Sequence, residues 1–244
     1  MPELPEVEVV KKSLRKTIYD LTIKNIEIPN KFLRYKIEEK LMKKMIKSKV
    51  SSVLRRSKYI LINLNNHYTI LVHLGMTGKI IITGPNKNKY KTSFYYQLLN
   101  NKAIHDHLII KFNKNILLTY NDVRKFGFIK ILKTKNLQSS FHLSMLGPEP
   151  LSQEFNFGYF KKNAKKRKVY LKDLLMDQRF IAGLGNIYVN EALFLSKISP
   201  KVRSNKIPLK KIYLLVSNIK KILKKAIREG GSSIKNFNNT KGRS

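Results

Sequence analysis

The chain opens Met-Pro-Glu-Leu-Pro-Glu, which places a proline at position 2 and a glutamate beside it. Removal of Met1 is expected when a small residue follows, and Pro2 then presents a secondary amine. Its pKa lies near that of an α-amino group, about 8, well below the roughly 10.4 of a lysine. More of it is unprotonated at neutral pH, so it can attack a carbon electrophile. The product is a cationic iminium that stabilises a neighbouring carbanion. Glu3 would serve beside it as a general acid or base, and Glu6 lies one helical turn on as a supporting carboxylate. A plainer reading fits the same residues. Proline costs nothing in the first turn of a helix, and glutamates there compensate the helix dipole.

Two further clusters carry chemistry. Gly183-Leu184-Gly185-Asn186 combines glycines, which let backbone approach closely, with a predicted helix start, where free N–H groups attract phosphate. The same four residues also make an ordinary turn. His105 and His107 alternate along a predicted strand and so share a face. No cysteine and no carboxylate cluster accompanies them, so a metal is not expected there.

The composition narrows the partner. Among 244 residues, 50 are Lys or Arg and 15 are Asp or Glu, a net charge of +35, and none is Cys. The excess runs through both halves, +14 over residues 1–122 and +21 over 123–244. Drift toward AT-rich codons would produce part of this, because lysine dominates. Counterion release from phosphates rewards such a surface whatever its origin. A hydrophobic content of 42% is enough to build a core. No apolar run approaches the roughly 18 residues needed to span a bilayer, and the acidic start lacks the features of a secretory signal. The expectation is a cytoplasmic monomer with a nucleic-acid partner and no membrane.

These residues need elements to hold them. Val7, Val10, Leu14 and Ile18 recur at helical spacing, with Glu3, Glu6 and Glu8 early and Lys11, Lys12, Arg15 and Lys16 late, predicting a helix over 3–18. From Ile23 to Lys133 the texture is that of strands. Runs 57–64 and 68–74 are joined at Asn65-Asn66, runs 108–112 and 116–120 at Asn113-Lys114-Asn115, and one more strand covers 126–132. Leu146-Gly147-Pro148-Glu149-Pro150 breaks the pattern. Helices are then expected over 153–168, 170–177 and 187–196, with a long one from Pro208 to Gly230-Gly231. The fold class is α+β: a helix and β-sandwich domain over 1–134, then a helical domain over 135–244.

Ordered blocks along the chain carry a resemblance. PELPEVE (2–8), SKYILINL (57–64), HLGMTG (73–78), HDH (105–107), NDVRKFG (121–127), LGPEPLS (146–152) and LMDQRFIAGLGNIYVNEALF (175–194) resemble segments of formamidopyrimidine-DNA glycosylase. That bacterial base-excision repair family combines glycosylase and abasic-site lyase activities. Leu4 favours its purine-lesion branch over endonuclease VIII-like enzymes for oxidised pyrimidines, which usually open Pro-Glu-Gly-Pro. The resemblance implies that Pro2 attacks C1′ of a damaged nucleotide, expels the base and forms a Schiff base. It makes Glu3 a proton donor and Lys58 a phosphate contact and proton donor in β-elimination. Met76, Arg124 and Phe126 become the residues that fill the void left by the flipped nucleotide. His73, His105, Lys168, Lys172 and Asn186 match positions at or near the DNA backbone, Asn186 within a helix–two-turn–helix element. The implied partner is damaged double-stranded DNA, with oxidised purines such as 8-oxoguanine and formamidopyrimidines as substrates.

The sequence departs from the family in one respect. A C-terminal zinc finger normally held by four cysteines is not expected here, and neither zinc nor another cofactor is assigned. GGSSIKNF (230–237) resembles the stretch leading into the loop that caps the lesion, while Arg243 in a Gly-Arg-Ser string is read as coincidence. A DNA-binding remnant with weakened or no catalysis is the competing expectation.

Overall fold

Helix α1 (Leu4–Ile18) forms where the apolar spacing places it, and Val7, Val10, Leu14 and Ile18 are all fully buried. The computed structural model describes residues 2–85, 89–90 and 103–231. Most of GGSSIKNF and the Gly-Arg-Ser string therefore lie outside the described residues. Two compact units result, one from Glu6 to Ser140 together with Pro2, the other from Phe141 onward together with Glu3–Pro5.

Among the described residues the first unit contains nine strands: β1 (Ile23–Glu27), β2 (Val50–Arg56), β3 (Tyr59–Leu64), β4 (Tyr68–His73), β5 (Lys79–Thr83), β6 (Lys89–Tyr90), β7 (Asp106–Phe112), β8 (Leu117–Asn121) and β9 (Phe128–Lys133). They make two antiparallel sheets, ordered β1-β7-β8-β5-β6 and β2-β3-β4-β9. One apolar core draws on both sheets and on α1, which makes the unit a sandwich. β3 and β4 pair from Tyr59 opposite His73 to Asn63 opposite Thr69 across the predicted hairpin. At the second hairpin Lys114 and Asn115 take left-handed backbone, and the Phe112 amide donates to Ile116 O.

Two differences from the sequence expectation have local causes. A short helix, α2 (Glu39–Lys43), interrupts the strand region without any side-chain cap to announce it. The last strand begins at Phe128 rather than 126, because Asp122 organises residues 122–127 into a turn: its Oδ2 accepts from the Gly127 amide at 2.8 Å.

The second unit is helical: α3 (Phe157–Lys165), α4 (Leu171–Met176), α5 (Asn186–Leu195) and α6 (Leu209–Glu229). α3 starts later than expected because Asn156 caps it, its Oδ1 accepting from the Tyr159 amide at 2.9 Å. Phe155, Phe160 and Phe180 form the aromatic centre of this core, with Phe160 and Phe180 edge to face at 5.2 Å. Among the described residues no helix is long and apolar enough to cross a membrane.

Candidate active site and nucleic-acid interface

Glu3 is 1% exposed and belongs to the helical unit. Its Oε1 accepts from the Ile187 amide at 2.9 Å and its Oε2 faces the Tyr188 amide at 3.5 Å, both in the first turn of α5. The adjacent Leu4 amide donates to Gly183 O at 3.0 Å. Gly185 makes room for this arrangement, since a Cβ there would collide with the Glu3 side chain. The α5 N-terminus therefore holds a protein carboxylate where the sequence suggested open amides for phosphate. Asn186, exposed at the head of α5, remains available to a backbone contact. Pro2 immediately precedes Glu3, so anchoring Glu3 also restricts the amine. Glu6 is buried in the first turn of α1.

The two-residue turn between β2 and β3 carries Lys58 at its tip, half-buried, with Ser57 in left-handed backbone behind it. A half-buried relay links this turn to α1. Glu8 pairs with Lys11 at 2.6 Å and with Arg55 Nε at 2.8 Å, and Arg55 Nη1 donates to Ser57 O at 2.9 Å. Burial pushes the Glu8 carboxyl up, but its hydrogen bonds and charge pairing with Lys11 and Arg55 outweigh this and hold it below the ordinary glutamate range. A depressed carboxylate contributes stability that is present above the unfolded value and lost as pH falls through the folded one. Wild-type protein is thus expected to lose melting temperature more steeply below about pH 4 than Glu8→Gln does. Parallel thermal melts across pH 3 to 7, on the order of the glutamate range, check this; equal slopes would contradict it.

His73, Met76, Arg124 and Phe126 converge on one groove of about 670 Å³, completed by Arg34, Gly75 and Lys125. Met76 and Phe126 are 37% and 46% exposed, so both apolar side chains are open to solvent on this groove. The Arg124 guanidinium lies over the Phe126 ring at 4.8 Å. His73 stacks on Phe128 at 5.3 Å, and its Nδ1 accepts from the Gly75 amide at 3.1 Å. The turn that carries Arg124 and Phe126 is fastened by further hydrogen bonds: Asp122 also accepts from Thr77 Oγ1, and Thr77 Oγ1 accepts from the Arg124 amide at 3.1 Å. The Asp122 amide donates to His105 O at 3.0 Å, which brings the expected backbone contact His105 against the same turn.

Arg34 was not signalled by the sequence, since nothing distinguishes it among 50 basic residues. Its amide donates to Gly127 O at 3.2 Å, and this bond carries its loop to the groove. At Gly127 a Cβ would overlap the Tyr120 hydroxyl and lie 2.6 Å from His73 O. Gly127→Ala is expected to destabilise the first unit by about 1–3 kcal/mol. Denaturant unfolding measures this, and an unchanged midpoint would show that the close approach is not needed.

In the helical unit, Gln178 folds the turn between α4 and α5, its Oε1 accepting from the Gly183 amide at 2.7 Å and its Nε2 donating to Leu184 O at 2.7 Å. Burial raises the Asp177 carboxyl, but hydrogen bonds from Arg179 and Arg167 leave it below its usual value. Lys168 is exposed, and its carbonyl accepts from Arg203 Nη1 at 2.8 Å; that guanidinium lies over the Tyr170 ring at 4.5 Å. Lys172 is half-buried on α4. Arg203 carried no sequence signal. Among the described residues no group of three His, Asp or Glu side chains could hold a metal ion.

Residues 1–129 match the Formamidopyrimidine-DNA glycosylase N-terminal domain, and residues 146–238 match the Formamidopyrimidine-DNA glycosylase H2TH domain. The chain belongs to the formamidopyrimidine-DNA glycosylase family. The formamidopyrimidine-DNA glycosylase of Rickettsia felis is 37% identical over 239 residues, covering 98% of this chain and 82% of that protein. The Lactococcus lactis enzyme has been solved with DNA containing N7-benzyl-Fapy-dG; it shares 35% identity at a TM-score of 0.82, over 96% of this chain and 81% of that one. A second Lactococcus lactis complex, with abasic-site DNA, has the same identity and TM-score, over 95% and 80%. Family membership makes this chain a DNA glycosylase of the repair type, with the matched H2TH domain in its helical unit.

Proposed function

We propose that this formamidopyrimidine-DNA glycosylase excises oxidised purines, 8-oxoguanine and formamidopyrimidines, from duplex DNA and then nicks the strand through a Schiff base at Pro2. The observation that carries the reading is the convergence of Met76, Arg124 and Phe126 on one open groove of the family's N-terminal domain. A base inside a duplex is out of reach, so the nucleotide must leave the stack and something must occupy its place. Two exposed apolar side chains suit stacking, and a guanidinium suits hydrogen bonding to the orphaned base.

In the proposed chemistry the Pro2 nitrogen attacks C1′, and the C1′–base bond breaks with a proton delivered to the departing base. Opening of the sugar ring leaves an iminium joining Pro2 to C1′, with its positive charge on nitrogen. Loss of a C2′ proton then expels the 3′ phosphate by β-elimination, and water releases the sugar remnant from Pro2. Glu3 transfers protons during base loss and ring opening, and Glu6 supports it. Lys58 contacts phosphate and assists the elimination. His73, His105, Lys168, Lys172 and Asn186 hold the backbone on either side.

No step is routed through a metal. The family's zinc site takes four cysteines, and a sequence without cysteine offers no such ligand set. The protein is proposed to act as a monomer in the cytoplasm.

Borohydride trapping on duplexes carrying an abasic site or 8-oxoguanine tests the reading. A covalent adduct with both is expected from protein whose Met1 has been removed. No adduct with either would sink the catalytic proposal.

A further inference from the structure

The triplet at 105–107 contains one histidine that the reaction does not use. His107, on β7, is 0% exposed, and its ring reaches two separate backbone segments. Nδ1 lies 3.0 Å from Asn30 O, and Nε2 lies 3.0 Å from Asp122 O. The Tyr120 ring meets it edge-on at 6.4 Å, which fixes the plane of the imidazole.

The two carbonyls belong to the two walls of the groove. Asn30 stands at the start of the loop that delivers Arg34, and Asp122 starts the turn that delivers Arg124 and Phe126. These walls also meet on the far side of the turn from Asp122, where the Arg34 amide donates to Gly127 O at 3.2 Å and the Tyr35 ring packs edge to face on Phe128 at 5.1 Å. Those contacts hold one end of the turn, and the His107 ring bridges the two segments at its other end. Imidazole is a rigid ring with a nitrogen at each end of its span; either neutral tautomer donates to one of these carbonyls and the imidazolium to both, and in each case the ring sets their separation in a way that a flexible chain does not.

We propose that His107 is a positioning residue for duplex engagement, a buried strut that fixes the spacing between the Arg34 loop and the Arg124–Phe126 turn. The inference rests on the reading that this groove enters the duplex. It goes beyond that reading by assigning the groove's width to a residue that touches no DNA. Displacement of a positioned group by about an ångström costs up to roughly 100-fold in rate. The cost should appear only where the groove has a helix to enter.

The test compares two abasic substrates, one in a duplex and one in a single strand, where no opposing base or stacked neighbour has to be replaced. His107→Gln keeps polarity and reaches one carbonyl at most, and His107→Leu removes both ties. Both variants are first checked for a wild-type-like melting transition, and whichever folds is used. Expected is a loss of about 10- to 100-fold in duplex trapping efficiency, carried by a raised KM, with single-strand trapping unchanged. Combining the variant with Phe126→Ala should cost little more than the larger single effect, because both act through one turn. Equal losses on the two substrates would reveal a merely structural histidine and overturn the proposal, as would full duplex activity. Failure of wild-type protein to trap either substrate would instead overturn the proposed Pro2 chemistry, which keeps the two claims separable.

Discussion

Protein carrying Pro2→Glu is expected to form no borohydride-trapped adduct, while its salt-dependent affinity for duplex DNA stays within a few-fold of wild type. The substitution acts twice. It removes the secondary amine, and a large second residue keeps Met1, so the nitrogen at position 2 becomes a planar amide whose lone pair is delocalised into a carbonyl. An amide cannot attack C1′, and no other group takes over a nucleophile's role at full rate. Loss of a catalytic nucleophile costs on the order of 10³-fold or more. Binding should survive because it is spread over the proposed phosphate contacts, Lys168 and Lys172 among them, and the wider +35 surface, where each neutralised phosphate contributes about 0.9 to the salt slope. Single-turnover trapping, with mass spectrometry to establish the state of Met1, reads one half; titrations at several salt concentrations read the other. An adduct at wild-type yield would mean that a lysine or another amine performs the chemistry. Collapse of both readouts would mean that Pro2 is structural, the plainer role of a proline at the start of a helix.

Which parts of this site were legible in the sequence depends on how each residue is held. α1 was legible because its burial is local: four apolar residues at helical spacing, acid at one end and base at the other. The hairpin that presents His73 was legible for the same reason, whereas the sequence reading placed Lys58 inside a strand over 57–64 and the structure puts it in the turn between β2 and β3. Met76 and Phe126 are different. By residue type both belong in a core, and only their place in HLGMTG and NDVRKFG marked them; their exposure on a groove is a property of the fold. Arg34 was illegible, since the bond that positions it joins residues 34 and 127. The Glu3 anchor was illegible on a larger scale, its hydrogen bond spanning 184 residues of sequence. His107 lies between these cases. Its alternation with His105 was visible, but that pattern invited a metal reading, and only the two carbonyls at 3.0 Å show what the ring holds. Local patterns predict elements, whereas long-range backbone contacts decide which elements meet.

The Glu3 anchor supports the second large expectation, that Glu3→Gln separates base removal from strand cleavage. Glutamine has the length of glutamate and keeps a carbonyl oxygen where Oε1 accepts from the Ile187 amide. It also fits the space that Gly185 leaves, so the segment around Pro2 should retain its geometry. What disappears is the acidic proton. Excision of an intact damaged base needs a proton for the leaving group, and loss of a positioned general acid costs about 10²- to 10⁴-fold. An abasic site has no base to expel and already equilibrates with its ring-opened aldehyde, so Pro2 can condense with it directly. Trapping on 8-oxoguanine duplex should therefore fall by about 10²- to 10⁴-fold, while trapping on abasic duplex should fall far less. The comparison is internal, because both substrates meet the same groove, the same phosphate contacts and the same amine. Equal losses would assign Glu3 to holding the α5 N-terminus and leave the proton donor to be sought elsewhere, with Glu6, buried one turn along α1, as the next carboxylate to replace.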